Sequence, residues 1–510
     1  MNFSAKDIFA TLPQLVLVVG ALVVLTSQLI LKKHRVRIAW QLTVLTLIVT
    51  LLLVIFGISA ADGKSTLLPA AFTPFDALSA FSGSLRYSSF SANSIVVFLA
   101  LALAAAFMMR KTLADADLNF SENYFLLLMS VAGYSYAVCA EDLITFFIAL
   151  ELGSIPIIVL VGMNRKSTAN NEASLKYLLL SAFAMAFFLL GIALIYGVSG
   201  TVRLRDIQNI SPHYMRTQAM MLGYIFIFVG FFFKIGAFPL HSYIADVYEG
   251  SQTMFTGILG SLSKAGGLFL MFKIYSVMHD GFRAYMTPVL LVAAVGSLFY
   301  GAFASLGTRN LKRILAYSSI SHAGFLLCFL VIPSGSSYGL FASFKQEAAA
   351  GFYIYTVGYT TASLLGFGVI AYAEAVHLNK EVLTLDNLAQ VFNGKGLGSW
   401  SLSIATLSLL GMPPLAGFIG KFFLFKYLAL SSNLTLAALA AIATAISLYA
   451  YIAIVKPIFF DERSTEDNVQ FSFGDAGKVT LVAFMAVVGF FAVFTSFLYN
   501  TGITAMQRIF

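Results

Sequence analysis

Runs of about twenty apolar residues recur along the whole chain, and that is the length a helix needs to cross the ~30 Å hydrocarbon core of a bilayer. About fourteen such runs can be placed, and no gap between them is long enough for a soluble domain. Lipid offers the backbone no hydrogen-bond partners, so each run must close its own bonds as a helix. The chain is therefore expected to be a single all-α polytopic membrane domain over residues 1–510. Its composition agrees: 59% of residues are hydrophobic and only 11% charged, far from the balance of a soluble protein. The first run, 12–31, is followed by Lys32, Lys33, Arg35 and Arg37. A cleaved leader carries its positive charges before the run, so this one is expected to stay as a helix.

The expected spans are 12–31, 38–58, 93–110, 123–140, 142–163, 174–198, 253–277, 286–306, 310–332, 346–375, 434–459 and 477–498, with interrupted helices from 218 to about 248 and from 401 to about 430. Alternate loops differ in charge. One set holds Lys32 to Arg37, then Arg110 and Lys111, then Arg165, Lys166 and Lys176, then Arg309, Lys312 and Arg313, then Lys380 and Lys395, then Arg463 and Lys478. The other set is poorer, although Arg203, Arg205 and Arg216 break the trend. The positive-inside rule assigns the richer set to the cytoplasm of a bacterial cell and both termini to the outer side. This placement also accounts for the net charge of +8 without nucleic acid. The segment 380–396 is amphipathic and suits the membrane surface. No phosphate-cradling or dinucleotide fingerprint occurs. Cys139 and Cys328 stand alone in apolar runs, with neither disulfide nor metal spacing.

Two runs are broken from within, at Gly236–Pro239 and at Gly411-Met412-Pro413-Pro414. Proline inside a span frees backbone groups that need protein or water partners. The two broken helices are five spans apart, so residues 123–277 and 286–459 form two five-helix units, the second entering from the opposite face. Residues 1–122 precede them and a last helix, 477–498, follows. An inverted repeat with paired broken helices points to an ion site at the interface of the two units.

Charge inside the spans singles out the candidate residues. An ammonium at mid-membrane costs roughly 2.5–3.5 kcal/mol on insertion scales, yet the stretch 231–267 accepts two, Lys234 and Lys264. At about 1.5 Å per residue, Glu151 lies ~14 Å into its span, Lys264 ~17 Å and His322 ~18 Å. Lys234 precedes one break and Lys421 follows the other. A carboxylate, three amines and an imidazole at one depth suit a chain of proton sites, because burial disfavours an ammonium and a nearby carboxylate favours it. Competing readings stay open: a structural pair of Glu151 with Lys234, a hydrogen-bonded core histidine at His322, and a His241 that satisfies the freed backbone. Asp246 and Glu249 serve either proton uptake or a plain solvated helix end. Lys426 is expected to snorkel to the interface, and Glu347 and Glu374 to lie there too.

Five motifs resemble the antiporter-like membrane subunits of respiratory complex I, the proton-pumping NADH–quinone oxidoreductase, and subunit N among them. They are EDLITFFIALELG (141–153), NEASLKYLLL (171–180), KIGAFPLHSYIADVYEG (234–250), NLKRILAYSSISHAG (310–324) and GMPPLAGFIGKFFLF (411–425). The resemblance implies fourteen helices with an inverted five-helix repeat. It implies a proton path over Glu151, Lys234, Lys264 and Lys421, with His322 between the halves; His241, Asp246 and Glu249 are the candidates for proton entry. The chain departs from the family pattern at Tyr243, Ala245, Ser263 and the turn 251–253. NADH, flavin (FMN), iron–sulfur clusters and quinone are expected in partner subunits, with no cofactor or metal in this chain. The partners implied are other membrane subunits, the hydrophilic redox arm and the lipid bilayer. Rival functions are a Na⁺/H⁺ antiporter subunit of a multi-subunit exchanger, a non-pumping spacer, and an unrelated solute transporter.

Overall fold

The computed structural model describes residues 5–30, 35–61, 79–115, 118–210, 217–278, 280–331, 341–376, 383–392, 394, 396–460 and isolated positions between 482 and 488. The last expected helix, 477–498, lies outside the described residues, as do Lys32, Lys33, Arg216, Lys380, Lys395, Arg463 and Lys478. Among the described residues, ten helices are long and apolar enough to cross a membrane. They include Leu12–Ile30, Ser89–Ala114, Leu143–Val161, Thr168–Ser199 and Leu434–Phe460. Helices Ser121–Cys139 and Leu311–Cys328 and the broken helix that begins at Leu397 fill the expected order as far as Phe460.

Helix ends are written in the sequence. Asp142 caps its helix by accepting from Thr145 N at 2.7 Å, and Ser167 accepts from Asn170 N at 3.3 Å. Asn310 accepts from Lys312 N at 2.9 Å and Arg313 N at 3.4 Å. Each satisfies amides that the first helical turn leaves free. Asn170 also ties three elements together on the basic-loop face, donating to Val161 O at 2.6 Å and Gly250 O at 3.2 Å.

Two helices form the centre. The apolar windows of Thr253–Val277 and Glu347–Ala375 are wholly buried inside the protein, whereas Leu12–Ile30 and Arg35–Gly57 turn most of their surface outward. Outward-facing apolar residues suit lipid; inward-facing helices are free to carry polar groups, and Thr356, Thr360, Thr361 and Ser363 are buried on the second. Small residues let backbones meet: a methyl placed on Gly133 would stand 2.1 Å from Gly153 N, across the contact of Ser121–Cys139 with Leu143–Val161.

On the face opposite the basic loops, a short hairpin pairs Ser79–Ala80 with Leu85–Arg86. Glu141 N donates to Ser84 O at 2.8 Å and Leu204 N to Glu141 O at 2.9 Å, so hairpin and loops form one hydrogen-bonded strip. On the basic-loop face, Leu311 N donates to Leu383 O at 3.2 Å and Leu385 N to Arg309 O at 2.9 Å. The described part of the expected surface segment is therefore clipped by its backbone to the start of Leu311–Cys328.

Candidate functional site

Both broken helices end alike. Gln218–Ile235 closes at Gly236 with φ 69°, Ala237 N donating to Phe232 O at 2.8 Å and Gly236 N to Phe233 O at 3.0 Å. Leu397–Leu410 closes at Gly411 with φ 93°, Met412 N donating to Leu407 O and Gly411 N to Ser408 O, both at 3.0 Å. This left-handed glycine cap with its paired backbone bonds ends a helix cleanly and leaves its negative dipole end facing inward. Each chain then passes a proline with a cis peptide, Phe238–Pro239 and Pro413–Pro414, and resumes at Tyr243–Gly250 and Ala416–Leu430. Phe238 N, freed at the first break, donates to Ser297 Oγ at 2.8 Å.

A lysine meets each cap. Lys421 Nζ donates to Leu410 O at 2.7 Å, the last carbonyl of the broken helix, and stands 4.7 Å over the Phe325 ring. A methyl placed on Gly236 would lie 3.7 Å from Lys264 Nζ. Lys264 Nζ donates to Ser319 Oγ at 2.7 Å and to Ser319 O at 3.3 Å, and no carboxylate stands within ion-pair distance of it among the described residues. The helix before Lys264 carries a π-turn, Leu259–Ser263, a distortion that recurs at functional positions.

Glu151 and Lys234 meet across three helices. Lys234 Nζ lies 3.3 Å from Glu151 Oε1, with the lysine side chain 1% exposed and the glutamate 20%. That oxygen has no hydrogen-bond partner, so the contact is an ion pair without a directed bond. Lys234 also donates to Ser181 Oγ at 3.3 Å. His322 sits in a cage of tyrosines. Its Nδ1 is 3.0 Å from Tyr355 Oη, its Nε2 3.4 Å from Tyr451 Oη, and Tyr359 stacks on it at 4.8 Å. Ser318 and Ser319, on the same helix, bond Tyr451 and Lys264 respectively, and Lys421 meets that helix at the Phe325 ring. The departures from the family pattern are absorbed here: Tyr243 Oη donates to Phe233 O at 2.8 Å, and Ser263 Oγ accepts from Tyr134 Oη at 3.0 Å.

The residues expected to take up protons are placed differently. His241 is buried, its ring 5.5 Å from that of Phe238 and 3.9 Å from that of Tyr300, and its Nδ1 has no partner. Ser297, not His241, serves the freed backbone. Asp246 pairs with Lys176 at 3.0 Å and Arg313 at 3.1 Å, and Glu249 pairs with Arg313 and accepts from Asn310 Nδ2 at 2.9 Å. Lys426 reaches Glu347 at 2.9 Å with both partly exposed.

Other charged groups are buried although their positions near helix ends suggested otherwise. Glu374 is 8% exposed, accepting from Thr253 Oγ1 and, at 3.3 Å, from Leu383 N. Lys312 is 5% exposed and donates to Ser251 O at 3.0 Å. Lys273 ends the helix Ser121–Cys139 by donating to Val138 O at 2.9 Å and Ala140 O at 2.5 Å, with Glu141 at 3.5 Å. Its signal in the sequence was plain: a second lysine in the same apolar run as Lys264. Among the described residues no group of histidines, cysteines or acids could hold a metal ion.

Residues 140–447 match the family described as NADH:quinone oxidoreductase/Mrp antiporter, transmembrane. Over 475 residues the chain is 32% identical to NADH-quinone oxidoreductase subunit N of Trichlorobacter lovleyi, covering 91% of each. Its fold is similar to a chain of respiratory complex I from Thermus thermophilus, with TM-score 0.76, 24% identity and coverage of 96% of this chain and 98% of that one. It is likewise similar to a chain of the Mrp complex from a Dietzia species, with TM-score 0.81, 18% identity and coverage of 99% and 98%.

Proposed function

The chain belongs to the NADH:quinone oxidoreductase/Mrp antiporter family of membrane subunits, and we propose that it serves as the proton-translocating subunit N of a complex-I-type NADH–quinone oxidoreductase. Protons pass along Glu151, Lys234, Lys264, His322 and Lys421, driven by redox chemistry in partner subunits of the same assembly. The observation that carries this reading is the repeated motif of a glycine-capped half-helix with a lysine at its end, at Gly236 with Lys264 and at Gly411 with Lys421. A fixed cation at either place stabilises a helix terminus; a removable proton there makes a switch. The inverted relation of residues 123–277 to 286–459 belongs to the same proposal, as do the bacterial cytoplasmic membrane, termini on its outer side, and flavin, iron–sulfur and quinone sites in other chains.

Lys264 decides between carrier and counter-ion. Lysine can shed its proton when desolvated, whereas arginine stays protonated in proteins. Lys264→Arg and Lys264→Ala are both expected to lower proton pumping by roughly tenfold or more, the scale of a positioned proton-transfer group. The measurement is redox-driven pumping in vesicles, normalised to assembled complex. Near-normal pumping by the arginine variant removes Lys264 from the path.

The likeness to an Mrp chain favours one second reading, a cation/proton exchanger subunit. Exchange of Na⁺ for H⁺ by the purified chain in liposomes, with no redox partner present, selects it.

A further inference from the structure

The basic-loop face opens into a cavity of about 900 Å³ between the loop 163–170, the turn 249–253 and the end of Phe341–Val376. Its charged lining is balanced: Glu122, Glu249 and Glu374 against Arg165, Lys166 and Lys312. Such a surface has no net charge to hold an anion or a metal cation, but it holds water well. At its inner wall lie Thr253, the first residue of the Lys264 helix, and Glu374. Asp246 and Glu249 are committed to Arg313, whereas no cation stands within ion-pair distance of Glu374 among the described residues.

A line of hydroxyls continues inward from this wall. Thr253, Thr256, Gly260 and Lys264 recur at i, i+3, i+7 and i+11, along one side of the helix. Thr253 Oγ1 donates to Glu374, and Thr256 Oγ1 meets Ser251 Oγ at 2.5 Å and donates to Tyr248 O at 3.1 Å. One turn further, a methyl on Gly260 would lie 3.2 Å from Tyr248 Oη and 3.3 Å from Ser363 Oγ, so both hydroxyls stand close together over this glycine. Tyr248 is 1% exposed, and its hydroxyl has no hydrogen-bond partner. A buried hydroxyl with no protein partner calls for water. The Tyr248 ring then lies 5.8 Å from Lys264 Nζ. From Thr253 to Lys264 is roughly 16 Å at the helical rise.

We propose that this cavity is the proton inlet to Lys264, and that Glu374 is the group that takes a proton from bulk water and hands it to water along the Thr253–Gly260 side of the helix. The inlet rests on the relay proposed above. The carboxylate of Glu374 accepts the excess proton of a hydronium in the cavity, leaving neutral water and releasing Thr253; it then gives that proton to a water on the inner side, which passes one of its own on to the neutral amine of Lys264, and the carboxylate regains the Thr253 bond. Net, one proton moves inward and no other bond changes. Tyr248 Oη, which has no protein partner, and the neighbouring Ser363 Oγ hold the last water.

The test uses the assembled complex in vesicles. Glu374→Gln keeps size and a hydrogen-bond acceptor for Thr253 but cannot carry a proton; pumping per assembled complex is expected to fall about tenfold. Glu374→Asp keeps the acid and is expected to restore most of it, which a merely structural acceptor role does not require. Gly260→Ala leaves every charge in place, presses a methyl against the Tyr248 and Ser363 hydroxyls that hold the last water, and is expected to lower pumping as well. Wild-type pumping by Glu374→Gln overturns the inlet, as does an aspartate variant no better than the glutamine one. Failure of the inlet is distinguishable from failure of the relay: with the inlet wrong, Glu374→Gln pumps while Lys264→Ala does not; with the relay wrong, both pump.

Discussion

Glu151 and Lys234 stand 3.3 Å apart, the ammonium sealed off and the carboxylate still partly reachable. Removing one partner of such a pair strands the other, typically a loss of about 3–5 kcal/mol. Single neutralisation of either is therefore expected to cut pumping, and the double change to retain about tenfold more than the product of the two losses. Losses that simply multiply mean that the two side chains do not act as a pair. At this scale the sequence was readable wherever a charge interrupted an apolar run: Glu151, Lys234, Lys264, His322 and Lys421 all stand out. Glu374 and Lys312 did not, because a charge near a helix end looks solvated until its neighbours are known. Those neighbours, Thr253 for one and Ser251 for the other, lie far away along the chain. Lys273 was visible and passed over; the carbonyls it caps belong to a helix more than a hundred residues earlier.

Helices meet where glycine removes a side chain, and the effect of restoring one is graded by what it would strike. A methyl on Gly133 runs into the backbone of Gly153, whereas one on Gly197 finds nothing within 4 Å. Gly133→Ala is expected to destabilise by about 1–3 kcal/mol, as overpacking does. Gly197→Ala is expected to be neutral or to stabilise slightly, since alanine is the better helix former. Thermal unfolding of the purified chain in detergent separates the two; equal midpoints contradict the close crossing. Helix positions were legible from hydropathy and both breaks from glycine and proline. The π-turn at Leu259–Ser263 was not, because LGSLS looks like any apolar helical segment and its shape comes from packing against Phe341–Val376. Helix ends ran past the apolar windows, as in Ser89–Asp115 against the expected 93–110. Hydropathy marks the hydrocarbon slab, not the last helical turn.

For the molecule as a whole, the alternation of basic loops makes one sided claim. Single cysteines at Arg165 and Arg309, introduced where Cys139 and Cys328 are replaced, are expected to resist an impermeant thiol reagent on intact cells and to react in inverted vesicles. Labelling of either from outside the cell reverses the orientation. The five-span offset between broken helices could be read from proline and glycine alone; that both ends close with the same pair of backbone bonds could not, since φ at a glycine is free until the fold decides it. Those twin closures have a consequence of their own. A helix end gripped by an ammonium is gripped only while the ammonium is charged. If Lys421 gives up its proton, as the proposed relay requires, Leu410 O loses the ammonium that donates to it at 2.7 Å, and the half-helix it ends is less firmly held. In the proposed relay, voltage and shape become one variable at this cap, so a movement pressed on the chain by a neighbour would eject a charge, and a charge arriving from water would push back.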